Sequence, residues 1–596
     1  MLNRLAANTW FAYLTILLLQ LKAVNGMWLY RDISIGDTGM YTIYAGEWFN
    51  NFSSTIAWSP LYGLYYGFLR NFFTDAYTLN IAHRLILVCV LTLLLLVVLR
   101  RLLPANIAWL MAAWWAVTPV VHNTLYEVHL FAVLPTLIGL LFATMKPRGW
   151  TRGAVIAVLL IAAVLVRNET FIALIVWSAG CIVWEVKQFF RFPEQRKRIR
   201  YYLLAYGVPA LIAVSVIGFF YGRSTQKFMS QSNQQTTSPI VYYFYRPPEE
   251  YPDLSAELAL KHNLNICQIY AYNYQQRFDD WTLSPWTECQ DLMQRDFGVD
   301  QPSMMQAIRL NPRAMLDYFL WNVRLIPDGL QILLFDATSG SGQPDYIPRN
   351  TGSLFAGVMG IVLLLVIASG LVVFWRQRRY WWEVWFRDRA WAWLFFLGVI
   401  CIMSVVMIMQ RPRPSYMMPL FIVMLAFTGS CIYILSEKMR WLKNVLLLQP
   451  IFAIALIIFL PPYYTPEYAT PHTGVGRPFY TQYTRLIDFR NQLEQIDDMH
   501  RFVMRGDPNQ LCMFILEREC LMPRFGELLA AKPAEISLGE WLAQQHVALF
   551  YIDEHLMTNP EITALLENAE ATGWEILAEV HGDAAHWALI HYVGGN

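Results

Sequence analysis

A chain of 596 residues that is 56% hydrophobic and only 15% charged does not belong with soluble globular domains, where charged residues make up roughly 25%. The net charge of +1 hides an uneven split: from Tyr463 onward 8 Lys+Arg face 19 Asp+Glu, leaving −11 on the tail and +12 on the rest. No basic stretch is joined to a nucleic-acid motif, so nucleic acid is not an expected partner.

Apolar runs near the 20 or so residues that cross a hydrocarbon core place eleven spans. They lie at approximately 9–29, 82–99, 105–122, 128–145, 152–167, 170–184, 201–221, 353–375, 391–410, 416–435 and 444–461. Arg4, Arg100/Arg101, Lys146/Arg148/Arg152, Lys187 through Arg200, Arg376 through Arg389 and Lys438/Arg440/Lys443 all fall on one side. The positive-inside bias makes that side cytoplasmic. The segments of about 30–81, about 222–352 and 462 onward then lie outside. The first span lacks an A-x-A cleavage pattern and reads as a retained anchor. The expected protein is mainly α and polytopic, with a transmembrane body over 1–461 and an outer α/β domain over 462–596. Its expected place is the bacterial inner membrane, N-terminus cytoplasmic and C-terminus outside.

Polar residues that are costly near a membrane gather on the outer side. The first outer loop, RDISIGDTGMYTIYAGEW, carries Asp32 and Asp37. Asp32 can pair with Arg31 at the surface; Asp37 suits either the N-cap of a helix starting at Thr38 or a working carboxylate. His83-Arg84 follows, a pair that either snorkels to the interface or lines a cavity. Glu127 with His129 opens the fourth span, and Arg167-Asn168-Glu169 joins two short spans as a neutralised turn or as a second lining group. Arg223 and Lys227 begin the large outer segment, and Arg411 and Arg413 flank Pro412 just before Tyr416.

Asn311-Pro312 signals a helix start within that large segment. Cys267 and Cys289 lie in it, and Cys512 and Cys520 in the tail. Two cysteines in each outer segment suggest one disulfide apiece in an oxidising compartment, with free thiols as the alternative. In the tail, β-type runs at Leu511–Leu516, Ala548–Ile552, Trp574–Val580 and Trp587–Val593 alternate with helical patterns at Ser537–Gln545 and Glu561–Ala571. Ser537 and Glu540 have capping-box spacing.

Several arginines beside outer span ends suit a phosphate or pyrophosphate head group, and a carboxylate in the same cavity suits general-base work on an incoming hydroxyl or amine. Together they describe transfer from a lipid-phosphate donor. Aromatic side chains over 240–286 can stack on sugar faces, although packing alone also accounts for them. No His/Asp/Glu cluster has convincing metal-ligand spacing.

The pattern Asp37-x-x-x-Tyr41-x-x-x-Ala45, shortly after the first span, resembles the first outer loop of GT-C class membrane glycosyltransferases. The branch it resembles contains the bacterial aminoarabinose transferases and protein O-mannosyltransferases. Trp58-Ser59-Pro60-Leu61-Tyr62 and Ala82-His83-Arg84-Leu85 are similar to the family's K-P-P-L box and A-R-L span entry. Arg413-Pro414-Ser415-Tyr416-Met417-Met418-Pro419 is similar to a stretched R-Y-x-x-P entry.

The resemblance implies a GT-C-like fold and an inverting transfer of sugar from a polyprenyl-phosphate donor to a lipid, glycan or protein acceptor among the membrane lipids. It implies Asp37 as catalytic base and Glu127 as the second acid. Trp58 stands where the box usually has a phosphate-binding lysine, which leaves Arg84, Arg223, Lys227 and Arg413 as candidates for the donor phosphate. Tyr41, His83, His129, Arg167, Glu169 and Tyr416 are the candidate substrate contacts. No cofactor is implied, although a divalent metal is compatible with the class. The alternatives are a lipid-linked glycan polymerase or ligase, and a transporter or lipid-binding scaffold.

Overall fold

The computed structural model describes residues 2–27, 45–46, 48–50, 52, 59–73, 76–122, 127–145, 149–191, 199–234, 254–285, 288–345, 349–464, 502–505, 520–521, 529, 532–545, 547–552, 556–580 and 587–594. The chain divides into two compact units. One comprises residues 1–26, 84–219 and 258–463; the other comprises 27–83, 220–257 and 464–596.

The first unit is a helical body with a helix for each expected span. Among the described residues, six helices are long and apolar enough to cross a membrane, Arg440–Leu446 with Gln449–Phe459 forms a bent pair, and four more apolar helices are shorter. The ends differ from expectation where backbone chemistry intervenes. The first helix stops at Ala23, and Gly26 follows with φ +81°, a conformation that ends a helix and favours glycine. The third stops at Val117, before Pro119, which has no N–H to continue the ladder. Arg152, expected in a basic loop, instead lies inside the helix Gly149–Leu165, buried and paired with Glu185 at 2.5 Å. That partner lies 33 positions along the chain, so local charge counting could not find it.

The spans differ sharply in surroundings. Only 6% of the apolar window of Leu354–Arg376 is buried in protein, against 72% for Met418–Ser436. The former therefore presents its side chains to lipid while the latter sits centrally, and the two pack together. Their close approach needs Gly370, where a Cβ would lie 2.6 Å from the Cβ of Cys431. Polar groups in the centre satisfy one another. Thr92 donates to Gln20 Oε1 at 2.7 Å, Gln20 Nε2 to the Ala116 carbonyl at 3.3 Å, and Trp115 Nε1 to Thr92 at 3.1 Å. An unmet polar group would be costly in hydrocarbon.

The segment before Leu354 forms a helical cap on this unit. Leu254–Gln275, Cys289–Phe297 and Met304–Leu310 pack around Ile269, Tyr270, Leu292, Met293 and Phe297. Cys267 and Cys289 form the expected disulfide. The helix expected after Asn311-Pro312 runs Pro312–Phe335, with the Asn311 side chain accepting from the Ala314 N–H at 3.1 Å. Burial, then the bond it donates to Asp296 Oδ2 at 2.8 Å, pushes the Tyr270 phenol well above its usual range.

Among the described residues, the second unit contains a five-stranded sheet in the tail. Its strands are β1 (Phe502–Arg505), β2 (Cys520–Leu521), β3 (Val547–Ile552), β4 (Trp574–Val580) and β5 (Trp587–Tyr592), in the order β2-β1-β3-β5-β4. β1 runs parallel to β2 and β3, while β5 runs antiparallel to β3 and β4. Leu538, Trp541, Phe550, Ile562, Leu565, Trp574 and Ile590 form the core beneath it. The Ser537–Glu540 capping box is present and starts the helix Leu538–Gln544. The helical pattern over Glu561–Ala571 resolves into Pro560–Glu567 and a separate short turn, Glu570–Thr572. The expected strand Leu511–Leu516 and Cys512 lie outside the described residues, whereas Cys520 is placed in β2.

Candidate functional site

The span Ala390–Met409 ends at carbonyls that an α-helix leaves without partners. In this chain the capping helix Pro312–Phe335 supplies them. Tyr318 donates to the Met409 and Gln410 carbonyls at 3.0 and 2.8 Å, and Asn322 donates to the Ile408 carbonyl at 2.8 Å. Asn322 is held in turn by Asn273 at 2.8 Å. The loop that follows, Arg411-Pro412-Arg413, is thereby fixed.

Both arginines of that loop are buried, each 1% exposed. Arg411 Nε donates to the Pro344 carbonyl, and its guanidinium lies over Tyr272, 4.2 Å from the ring centre. Arg413 Nε donates to Asp345 Oδ1 at 3.2 Å. The other oxygen of Asp345 takes Arg349 Nη2 at 3.4 Å, and Arg349 reaches on to Asp336 at 2.8 Å. Asp336 closes the helix Pro312–Phe335 at φ +57°, a left-handed position in which Asp is tolerated better than most residues.

Tyr416 links this network to a second group. The Arg413 guanidinium lies 5.2 Å and the Arg167 guanidinium 5.3 Å from its ring centre, within cation–π range. The His129 ring packs against it edge-on at 4.8 Å. Arg167 Nη1 also meets His129 Nδ1, and Arg167 binds Glu169 Oε1 at 2.6 Å. A guanidinium has only N–H donors, so His129 Nδ1 is the accepting atom of this contact. Four stretches of sequence, 167–169, 336, 345–349 and 411–413, thus bring Arg167, Arg349, Arg411 and Arg413 together with Glu169, Asp336 and Asp345. Among the described residues the cluster is cation-rich.

His129, Arg167, Glu169, Arg413 and Tyr416 were legible as candidates. Arg349, Asp336, Asp345 and Tyr272 were not, because their partners lie on other elements. Arg84 is buried in the same unit and donates to the His122 carbonyl at 3.5 Å. Glu127 begins the short helix Glu127–Phe131, two residues before His129. Tyr463 is pushed up to about 12 by burial and then by the Asp336 carboxylate, so its phenol stays neutral.

In the second unit His83 is buried among Tyr62, Tyr65 and Tyr66, with ring centres 4.6–5.4 Å away. Tyr66 donates to Asn80. The helix Pro60–Arg70 carries Gly63 and Gly67, and the stretch around Ala45 and Trp48 docks into the notch they leave. A Cβ at Gly67 would lie 2.0 Å from the Ala45 carbonyl oxygen, and one at Gly63 would lie 2.5 Å from Trp48. Ala45, the last position of the Asp37 box, is fully buried here with Tyr66, Leu69 and Leu79. Asp37, Tyr41 and Asp32 lie outside the described residues. Arg223 is exposed on the helix Ile199–Gln234; Lys227 lies on the same helix, its side chain outside the description.

The fold defines an integral membrane protein with a mainly α, polytopic body and a C-terminal α/β sheet. No family model matches the sequence, and no curated protein matches it. Among solved structures, the crystal structure of ArnT from Cupriavidus metallidurans bound to undecaprenyl phosphate aligns over 98% of this chain and 96% of its own. The TM-score is 0.36 at 12% identity.

Proposed function

We propose that the protein transfers a sugar from a polyprenyl-phosphate-linked donor to an acceptor on the outer face of the membrane, with inversion. The observation that carries this reading is the meeting of Arg167 and Arg413 over Tyr416, with His129 packed against the same ring and buried Arg411 two residues from Arg413, at the ends of the spans. Buried guanidinium groups favour a phosphate both electrostatically and through paired N–H donors. Asp37, in its D-x-x-x-Y-x-x-x-A setting, takes the proton from the acceptor hydroxyl or amine. The acceptor atom bonds to the anomeric carbon as the bond from that carbon to the phosphate oxygen breaks. Polyprenyl phosphate leaves with the electron pair, and the arginines stabilise its growing charge. Glu127 is the second acid, and His83, Tyr41 and Glu169 are proposed substrate contacts. The tail sheet belongs to the outer domain.

The test is release of undecaprenyl phosphate from a panel of undecaprenyl-phosphate sugars in proteoliposomes containing the full chain. Asp37→Asn is expected to lower turnover by about 10²–10⁴-fold, and full retained activity refutes the assignment. The arginine-rich cluster also suits a lipid-linked glycan polymerase or ligase. That second reading predicts loss of activity in Arg413→Gln with Asp37→Asn unaffected.

A further inference from the structure

The turn that joins the spans Leu354–Arg376 and Ala390–Met409 is a folded shelf. Residues 376–389 carry five arginines and no lysine, against Glu383 and Asp388. They form a short helix, Arg378–Trp381, a π-helical turn, Trp382–Phe386, and a 3-10 turn, Arg387–Arg389, that leads into the second span. Trp381 and Trp385 are buried, their ring centres 5.8 and 4.5 Å from that of Tyr433. Arg389 fastens the far end. It donates to the Leu102 and Trp385 carbonyls at 3.1 and 3.0 Å and lies 3.8 Å from the Trp385 ring centre. The helices on either side are long and apolar enough to cross a membrane, so the shelf lies at its surface.

What the shelf leaves exposed is cationic and aromatic. Trp375, Tyr380 and Trp382 are each more than half exposed, and Arg376, Arg378 and Arg379 are exposed with them. Among the described residues none of these three arginines has a carboxylate within ion-pair distance. Arg378 lies 5.3 Å from the Trp375 ring centre and has no other partner there. On the same side Arg152 is committed to Glu185, and Lys443 to Glu437. Uncommitted cations just beyond a span attract anionic lipid headgroups. Guanidinium takes phosphate through paired N–H donors, and Trp and Tyr settle at the headgroup layer. We propose that this shelf binds anionic phospholipid of the leaflet on the basic-loop side. The lipid phosphate is drawn to Arg376, Arg378 and Arg379, with the exposed indoles in the headgroup layer. The 20 residues of Ala390–Met409, about 30 Å of helix, separate the shelf from Arg411 and Arg413. The site is therefore distinct from the arginine cluster and independent of sugar transfer.

The test places photoreactive p-benzoylphenylalanine at Trp382 of the full chain, or at Leu364, exposed in mid-span, as the reference. The protein is irradiated in nanodiscs of equal dioleoyl phosphatidylglycerol and phosphatidylcholine, and the lipid adducts are weighed by mass spectrometry. Each cation near the surface is worth about fivefold, and Glu383 and Asp388 oppose the arginines. Phosphatidylglycerol adducts at Trp382 should therefore exceed phosphatidylcholine adducts by at least about fivefold, while Leu364 yields the two nearly equally. Arg376→Gln with Arg378→Gln and Arg379→Gln should return the Trp382 ratio to that at Leu364. Salt at about 1 M, which shortens screening to about 3 Å, should do the same. Equal ratios at the two positions, with the arginines intact, overturn the proposal. So does a preference that survives the triple variant. An adduct to a second copy of the chain in place of lipid also overturns it, by making the shelf a protein contact. If the triple variant fails to insert, the salt titration decides.

Discussion

Asp345→Asn tests the network that holds Arg413. Asp345 is buried, with Arg413 Nε at 3.2 Å and Arg349 Nη2 at 3.4 Å on its two oxygens. At an effective dielectric of about 20, each contact is worth roughly 5 kcal/mol before desolvation is subtracted. Removing one partner from a buried pair costs about 3–5 kcal/mol net. Asparagine keeps the shape and one acceptor oxygen, which places the expected loss near 3 kcal/mol, a large part of a typical total of about 5–15 kcal/mol. Arg349 is shared with Asp336 at 2.8 Å, so Asp345→Asn and Asp336→Asn should couple by about 0.5–3 kcal/mol. The assay is the denaturant midpoint of the purified full chain, followed by tryptophan fluorescence, for both single variants and the double. A single-variant loss below about 1 kcal/mol combined with strict additivity would refute the charge network.

Replacing both Cys267 and Cys289 with serine should cost about 3 kcal/mol, from the entropy of a loop with separation 22. Intact mass under non-reducing conditions reads the bond directly, and a further deficit of two hydrogens would report the proposed Cys512–Cys520 pair. Gly67→Ala should improve helix propensity by up to about 1 kcal/mol, yet it forces a Cβ to within 2.0 Å of the Ala45 carbonyl. Transfer activity should therefore collapse while helicity by circular dichroism holds; unchanged turnover would remove the docking argument. The Glu540 carboxyl is held below its usual range by the Ser537 N–H and hydroxyl. Its contribution is thus present above the unfolded carboxyl range and lost as pH falls through the lower folded value. The protection of the Leu538–Gln544 amides, taken relative to their intrinsic exchange rates, should fall on acidification, and Ser537→Ala should remove that acid dependence. For topology, thiols introduced near residue 236 and in the tail should react with an impermeant label from the side opposite the basic loops. Reaction only from the basic-loop side would invert the assignment.

Much of the helical body was legible because spanning a bilayer demands about 20 apolar residues in a row. Local chemistry also spoke directly. Asn311-Pro312 starts a helix, Ser537 with Glu540 forms a capping box, and Cys267 pairs with the other cysteine of its segment. These depend on residues adjacent in sequence or on simple counting. Their energetics do not wait for the fold.

The tertiary structure alone decided the rest. Leu354–Arg376 and Met418–Ser436 are both strongly apolar, yet one faces lipid and the other fills the centre. Hydrophobicity records transfer out of water, and lipid and protein interior are nearly equivalent destinations on that scale. Packing shape, as at Gly370 against Cys431, made the choice. The same holds for the charges. Arg413 was visible as a candidate, but its carboxylate lies 68 positions away and its neighbour Arg167 far upstream. A sequence can say that a buried charge needs a partner; only the folded chain names Asp345.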